Sequence, residues 1–250
     1  MTQQPPKILV FSDFDGTIST QDTGTVIIDH CMGYDARRAL DRQILDGTAS
    51  FRDAVEFMWD SVNITWEEAL TLVKAISLDP RFGEFYRFCA ENHIPLTVLS
   101  SGLHPLVAIF LKDFITTSDD DSGVLSILAN DIVITEKEGK AVWKILYRDE
   151  SSHGHDKSLS IQNYLDSLST ASTRDHHPLP PQQNPAKGPL IIFIGDGVSD
   201  ISAARHADLV FAKRGKDLES WCKRENVPHI PWDDFGTVLD VLKQKTAELM

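Results

Sequence analysis

The sequence predicts an α/β chain: a parallel sheet with helices on both faces and a helical block inserted after the first strand. Three observations carry that prediction. Short apolar runs over 8–11, 95–99 and 190–194 are bounded by polar residues, as buried strands are, and the last is uninterrupted, as central parallel strands are. Helical patterns follow the later runs, so strand and helix alternate through most of the chain. Between the first two runs, residues 20–79 show helical spacing with no strand pattern.

Within that block, Val26, Ile27 and Ile28 lead to a stop at Gly33, and a pattern over 36–45 ends at Gly47. Ser50 is placed to cap a helix carrying Phe51, Val55, Phe57 and Met58, and Asp22 reads as another cap. Thr65 and Glu68 form a capping-box pair ahead of Ala69, Leu72, Val73 and Ile76. Pro80 opens a helix through Cys89. The strand over 95–99 runs into Ser100-Ser101-Gly102 and a helix over 105–114. An acidic loop is expected over 116–123, then a hairpin of 127–134 and 141–147 around Glu138-Gly139. Gly154-His155-Asp156-Lys157 opens a helix carrying Leu159, Ile161, Tyr164, Leu165 and Leu168, and 169–189 reads as a mobile surface loop. After the strand over 190–194 come a helix over 201–206, strands over 209–212 and 227–230, and helices over 217–226 and from 233 onward.

At 250 residues the chain fits one sizeable domain, or a core with an inserted subdomain. A net charge of −13 argues against nucleic acid and anionic membranes, whose binding is driven by Lys and Arg. Cys31, Cys89 and Cys222 are widely spaced and form no C-x-x-C pair, which suits a reducing compartment. The first residues lack a basic segment followed by an apolar one, and no apolar run approaches a membrane span, so a cytoplasmic protein is expected.

The chemistry gathers at the strand ends. The first strand finishes in Asp13 and Asp15, with Gly16 signalling the turn. Two such charges side by side repel by several kcal/mol at an effective dielectric of about 20, so a cation or a shared proton is needed. A solvated strand end would show the same pair. The second strand, however, ends in Ser100, the strand over 190–194 runs into Asp196 and Asp200, and Lys157 stands at a helix start. In an open parallel sheet the carboxyl ends of the strands are where ligands bind. Carboxylates beside one lysine and one serine make chemical sense as a magnesium and phosphate site, since Mg²⁺ prefers hard oxygen ligands.

These pieces resemble the haloacid dehalogenase superfamily, over the whole chain. Asp13-Phe14-Asp15-Gly16-Thr17 is similar to its first motif, Ser100 to its second, Lys157 to its third, and Gly195-Asp196-Gly197-Val198-Ser199-Asp200 to its fourth. The block over 20–79 resembles the C1-type cap of the phosphoserine phosphatase-like branch, leaving 1–19 and 80–250 as the core. The details resemble a fungal group described as polyol-phosphate or diketo-methylthio-phosphopentane phosphatases, with Ser199 where many relatives carry Asn. The resemblance implies a Mg²⁺-dependent phosphatase acting on a small phosphate ester. Asp13 would be the nucleophile that becomes an aspartyl-phosphate, and Asp15 the general acid and base. Asp13, the Asp15 carbonyl and Asp196 would hold Mg²⁺, with Asp200 as ligand or as the group orienting one. Ser100, Thr17 and Lys157, with the N–H groups of Gly16 and Ser101, would bind phosphoryl oxygens. Arg52 is the cap cation expected to anchor the rest of the substrate, although a solvated helix residue would read the same.

Other readings fit less well. A non-catalytic phosphate-binding protein would be expected to lose the acid at position 13, and a receiver domain would have no cap. A Rossmann dehydrogenase would need G-x-G-x-x-G after the first strand. A phosphomutase shares the fold and differs in needing a bisphosphate activator. Phe51, Phe57, Trp59 and Trp66 are expected in the cap core, and His153 and His155 at the surface.

Overall fold

The computed structural model describes residues 6–115, 124–173 and 188–249; the expected acidic loop over 116–123 and most of the expected loop over 169–189 lie outside them. In chain order, β1 (Ile8–Ser12) is followed by α1 (Thr23–Met32), α2 (Tyr34–Leu45), α3 (Phe51–Asp60) and α4 (Trp66–Val73). Then come α5 (Phe82–Glu91), β2 (Leu96–Leu103), α6 (His104–Leu111), β3 (Leu125–Lys137), β4 (Lys140–Leu146) and α7 (Lys157–Thr173). The chain continues with β5 (Leu190–Gly195), a 3-10 turn (Val198–Asp200), α8 (Ile201–Ala204) and β6 (Leu209–Lys213). It closes with α9 (Asp217–Arg224), β7 (Ile230–Trp232) and α10 (Phe235–Leu249).

The seven strands form one sheet in the order β4-β3-β2-β1-β5-β6-β7, parallel except for the β3–β4 pair. Every residue of β1 is buried, as a central strand with both faces covered requires. Successive side chains point to opposite faces: Ile8 and Val10 join α5, α6 and α10, while Leu9 and Phe11 join α7, α8 and α9. The chain builds outward from β1 to one side through β2 and β3, then crosses to the other side for β5. The carboxyl ends of β1, β2 and β5 therefore flank the point where the winding reverses, and a crevice opens there.

The inserted helices are capped as their sequence predicts. Asp22 accepts from the Thr25 N–H, Ser50 from the Asp53 N–H, and Thr65 and Glu68 form a reciprocal capping box. The block leaves and rejoins the core through two paired segments: Ser19 bridges Leu78, the Thr20 N–H donates to the Ser77 carbonyl, and the Asp79 N–H donates to that of Ile18.

The expected hairpin forms, β3 turning back against β4 around Glu138-Gly139, and the first part of β3 also pairs in parallel with β2. Other element bounds are corrected. Strand β7 (Ile230–Trp232) shares only Ile230 with the expected strand over 227–230, because the strand is set by pairing with β6. The helix opened by Lys157 runs on to Thr173, past the expected end at Leu168.

The hairpin also serves the inserted block. Trp143 and Ile145 of β4 share an apolar cluster with Ile27, Ile28, Met58, Trp59, Ala69 and Val73, and with Leu103 and Leu106. Trp143 stacks on Trp59 at 5.8 Å and 8°, and its indole N–H donates to the Ile64 carbonyl at 2.8 Å. Trp143→Ala removes the middle of this cluster and one hydrogen bond. It should cost about 3–5 kcal/mol in urea unfolding, the usual loss for a buried aromatic cut to alanine.

Candidate functional site

β1 delivers Asp13 into the crevice, its N–H bonded to the Ile194 carbonyl of β5 at 2.8 Å. Phe14 turns into the core, so Asp15 comes back to the crevice side. Gly16 follows with φ +80°, where a side chain is strained, and a Cβ there would come within 2.5 Å of Asp196 Oδ2. The turn is further held by Lys213, which donates to the Gly16 carbonyl at 2.6 Å.

Lys157 is fully buried and lies between two carboxylates, 2.6 Å from Asp13 Oδ1 and 2.6 Å from Asp200 Oδ1. Asp156 sets its place: the carboxylate accepts the Ser158 N–H at 2.9 Å just as α7 begins. Asp200 Oδ2 accepts the N–H groups of Asp196 and Gly197, each at 2.9 Å. Asp196 Oδ1 accepts the Thr17 hydroxyl at 3.1 Å. Carboxylate oxygens of Asp13, Asp196 and Asp200 lie within 4.8 Å of one another.

Burial, and then the neighbouring charge of Asp200, push the Asp13 carboxyl well above the ordinary carboxylate range, against the pull of Lys157. Asp196 is pushed up to about 6, by burial and then by Asp200. Burial works against the Lys157 ammonium, but Asp13 and Asp200 outweigh it and raise its pKa above that of ordinary lysine. Asp15 is held on the other flank, its Oδ1 accepting the Thr23 N–H at 2.7 Å and the Thr23 hydroxyl at 2.8 Å. Burial, followed by the Asp22 charge, raises it to about 7. Its Oδ2 lies 3.5 Å from Ser100 Oγ.

Three carboxylates against one ammonium leave the Asp13, Asp196, Asp200 and Lys157 cluster two negative charges in excess. That excess, presented by hard oxygen donors at one point, fits a small divalent cation such as Mg²⁺. The cluster opens on a cleft of about 440 Å³ that the inserted block roofs with Ile28, Arg37, Arg38, Asp41, Ile44, Val55 and Met58. Ser101 borders the same cleft, and its hydroxyl is buried without a hydrogen-bond partner.

A family model described as haloacid dehalogenase-like hydrolase matches residues 10–205, which hold every group just named except Lys213. The chain belongs to that family. It is an enzyme, a haloacid dehalogenase-type phosphatase. Relatives include Pdp3-interacting factor 1 of Schizosaccharomyces pombe, 37% identical over 96% of this chain and 95% of that one. The polyol phosphate phosphatase PYP1 of Saccharomyces cerevisiae is also 37% identical, with the same coverage of each chain. Among solved structures, a phospho-aspartyl intermediate analogue of phosphoserine phosphatase superposes with a TM-score of 0.64 at 16% identity. It covers 94% of this chain and 99% of the other, a likeness of fold.

The structure brings Asp13, Asp15, Gly16, Ser100, Ser101 and Asp196 to one haloacid dehalogenase-type cleft. Lys157, Asp200 and Thr17 stand directly behind, with no exposed side-chain surface. Arg52 corrects its expectation. It stacks on Tyr147 at 4.3 Å, reaches the Asp149 and Ser151 carbonyls, pairs with Glu150, and does not border the cleft. Phe57 is exposed and Phe51 borders the cleft, so neither belongs to the cap core, whereas Trp59 does.

Arg37, Arg38 and Asp41 escaped the sequence reading because charges on a helix look like a solvated face. Arg37 instead clamps Asp29 through two nitrogens and reaches Asp41 at 2.7 Å, joining α1 to α2 over the cleft. His155, expected at the surface, is buried; its place two residues before Lys157 was the available signal. Burial lowers its pKa to about 4. The folded chain therefore takes up this proton near pH 4 and the unfolded chain near pH 6.5. Between those values the unfolded state binds more protons, so His155's contribution, complete above pH 6.5, is lost as pH falls toward 4. His155→Asn should flatten the dependence of unfolding free energy on pH in that window; an unchanged slope would contradict a neutral buried imidazole.

Proposed function

We propose that this haloacid dehalogenase-type phosphatase hydrolyses the phosphate ester of a small sugar alcohol, with Asp13 as nucleophile and Asp15 as acid and base. The observation that carries the reading is the convergence of Asp13, Asp15 and Ser100 on one cleft edge with Lys157 bonded to Asp13 directly behind, from three separate elements. Polyol phosphate is favoured by the name of the Saccharomyces relative, and the polar side chains of Gln21, Thr25 and Asp41 along the cleft suit hydroxyl groups.

Lys157 holds Asp13 by Oδ1, which leaves Oδ2 as the attacking oxygen. Both Thr23 donors hold Asp15 by Oδ1, leaving Oδ2 beside Ser100 to protonate the departing alcohol oxygen. The same oxygen then accepts the proton of the water that cleaves the aspartyl-phosphate, so each half-reaction restores what the other removed. Ser100, Thr17, Lys157 and the N–H groups of Gly16 and Ser101 serve the phosphoryl oxygens, Thr17 by way of Asp196. Mg²⁺ fits the carboxylates of Asp13 and Asp196 and the Asp15 carbonyl, with Asp200 as ligand or orienting group, and when bound would neutralise charge building on the phosphoryl oxygens.

Residues 20–79 act in this reading as a cap on a core of 1–19 and 80–250, excluding water and choosing the substrate. The three cysteines are unpaired, which supports a cytoplasmic setting, and no described helix is long and apolar enough to cross a membrane. A second reading rests on the apolar part of the roof. Ile28, Ile44 and Val55 would suit a methylthio-bearing chain, the substrate named for a Microcystis aeruginosa relative at 26% identity.

Asp13→Asn should lower phosphatase turnover by about 10³-fold or more with the fold intact by circular dichroism. Turnover close to the parent's would refute the mechanism. Excess EDTA should abolish activity, Mg²⁺ should restore it, and Ca²⁺ should inhibit because its larger, looser shell misplaces the nucleophile; full activity in EDTA would count against the metal. Ranking polyol phosphates, phosphoserine, glycerol phosphate and a methylthiopentyl phosphate by kcat/KM decides between the two substrate readings.

A further inference from the structure

The bend that carries Ser100 and Ser101 is irregular: β2 loses its register against β3 between Ser100 and Leu103. Such a bulge takes backbone groups out of the ladder, and other partners must then fix them. Two side chains do so on successive peptides. The Ser100 carbonyl lies 2.8 Å from His155 Nδ1, and the Ser101 carbonyl accepts from Asn130 Nδ2 at 2.9 Å. Both side chains belong to almost fully buried residues, 1% and 2% exposed. Each also reaches a further segment: His155 Nε2 meets Ser160 Oγ at 2.9 Å, three residues along α7 from Lys157, and Asn130 Oδ1 accepts the Arg148 N–H at 3.0 Å.

A carbonyl can only accept, so the neutral His155 carries its proton on Nδ1 and accepts a hydrogen bond from the Ser160 hydroxyl at Nε2. The peptide bonds are trans and planar, so fixing a carbonyl fixes the following N–H in the opposite direction. His155 thereby sets the Ser101 N–H, and Asn130 sets the Gly102 N–H. The Gly102 N–H donates to Ser100 Oγ at 2.9 Å, so the hydroxyl's own proton points away from the bend, where it makes a long 3.5 Å contact to Asp15 Oδ2 that a bound phosphoryl oxygen would replace.

We propose that His155 and Asn130 are positioning residues that clamp the consecutive carbonyls of Ser100 and Ser101, presenting the Ser101 N–H and the Ser100 hydroxyl to the bound phosphoryl group. The identity of that anion rests on the phosphatase reading; the clamp is visible without it. Through Ser160, His155 also ties this bend to the helix that carries Lys157, so the Ser100 bend and the lysine that holds Asp13 keep one spacing.

The amide nitrogen of an asparagine stands where imidazole Nδ1 stood, and that of a glutamine where Nε2 stood. His155→Asn therefore keeps the donor to the Ser100 carbonyl, and His155→Gln loses it while still reaching Ser160. Asn130→Asp keeps the acceptor for Arg148 and replaces the donor to Ser101. The quantities to measure are inhibition by orthophosphate, kcat and KM for a simple aryl phosphate with Mg²⁺, and melting temperature with and without orthophosphate. Expected are about ten-fold weaker orthophosphate binding and about ten-fold lower kcat/KM in His155→Gln and Asn130→Asp, the range in which the outer partners of a site act. His155→Asn should stay close to the parent, with His155→Asn and His155→Gln melting alike. Equal orthophosphate binding by His155→Asn and His155→Gln, or losses that track melting temperature, would overturn the clamp. A parent that binds orthophosphate but hydrolyses no ester would refute the phosphatase reading, and the binding comparison would still decide the clamp. A parent that does not bind orthophosphate overturns both.

Discussion

The site depends on one buried ammonium. Lys157 has no exposed surface and two carboxylate partners at 2.6 Å, from the end of β1 and from the turn after β5. A charge taken from water at that depth is tolerated only when it is paired and fully hydrogen-bonded, and removing one partner of such a pair usually costs about 3–5 kcal/mol. Lys157 thus fixes the distance between two strand ends that the sheet alone would leave slightly adjustable. Asp200 completes the fixation, because its other oxygen holds two backbone N–H groups and cannot turn away.

Around this pair, each reactive carboxylate has one oxygen held and the other left free. Asp13 is held by Lys157 and Asp15 by Thr23. The division follows from where the partners enter. Thr23 is the first residue of α1, so the helix start that opens the inserted block also orients the acid beside the nucleophile. Loss of the block would therefore disturb the chemistry as well as the roof over it. Lys213 and Gly16 play the corresponding part on the far side of the turn, where the close approach of Asp196 leaves no room for a side chain.

Much of this was legible in the chain. The strands carrying Asp13, Ser100 and Asp196 announce themselves as short apolar runs, and Ser50, Thr65 and Glu68 announce helix starts by residue type alone. The strand-end acids needed no structure to be singled out, since their type and place imply a shared cation. Other features are relations between distant residues, and local pattern is silent about those. Arg52 and Arg37 are both helix arginines on one block; which faces the cleft depends on where Tyr147, Asp149 and Asp29 arrive. His155 reads as a polar loop residue until Ser100 and Ser160 are seen closing on its two nitrogens. The dual pairing of β3 was hidden for the same reason, because its alternation suits a hairpin and a sheet edge equally.

The shared apolar cluster beneath the roof has a mechanical meaning. Trp59 belongs to the inserted block and Trp143 to the hairpin that extends the main sheet, yet their rings are stacked. Raising the block like a hinged door would wet both indoles, and at about 25 cal/mol per Å² over a tryptophan's face that is a barrier of several kcal/mol. A swing at the Ser19 and Leu78 neck therefore carries a cost that the movement of single side chains at the cleft rim does not.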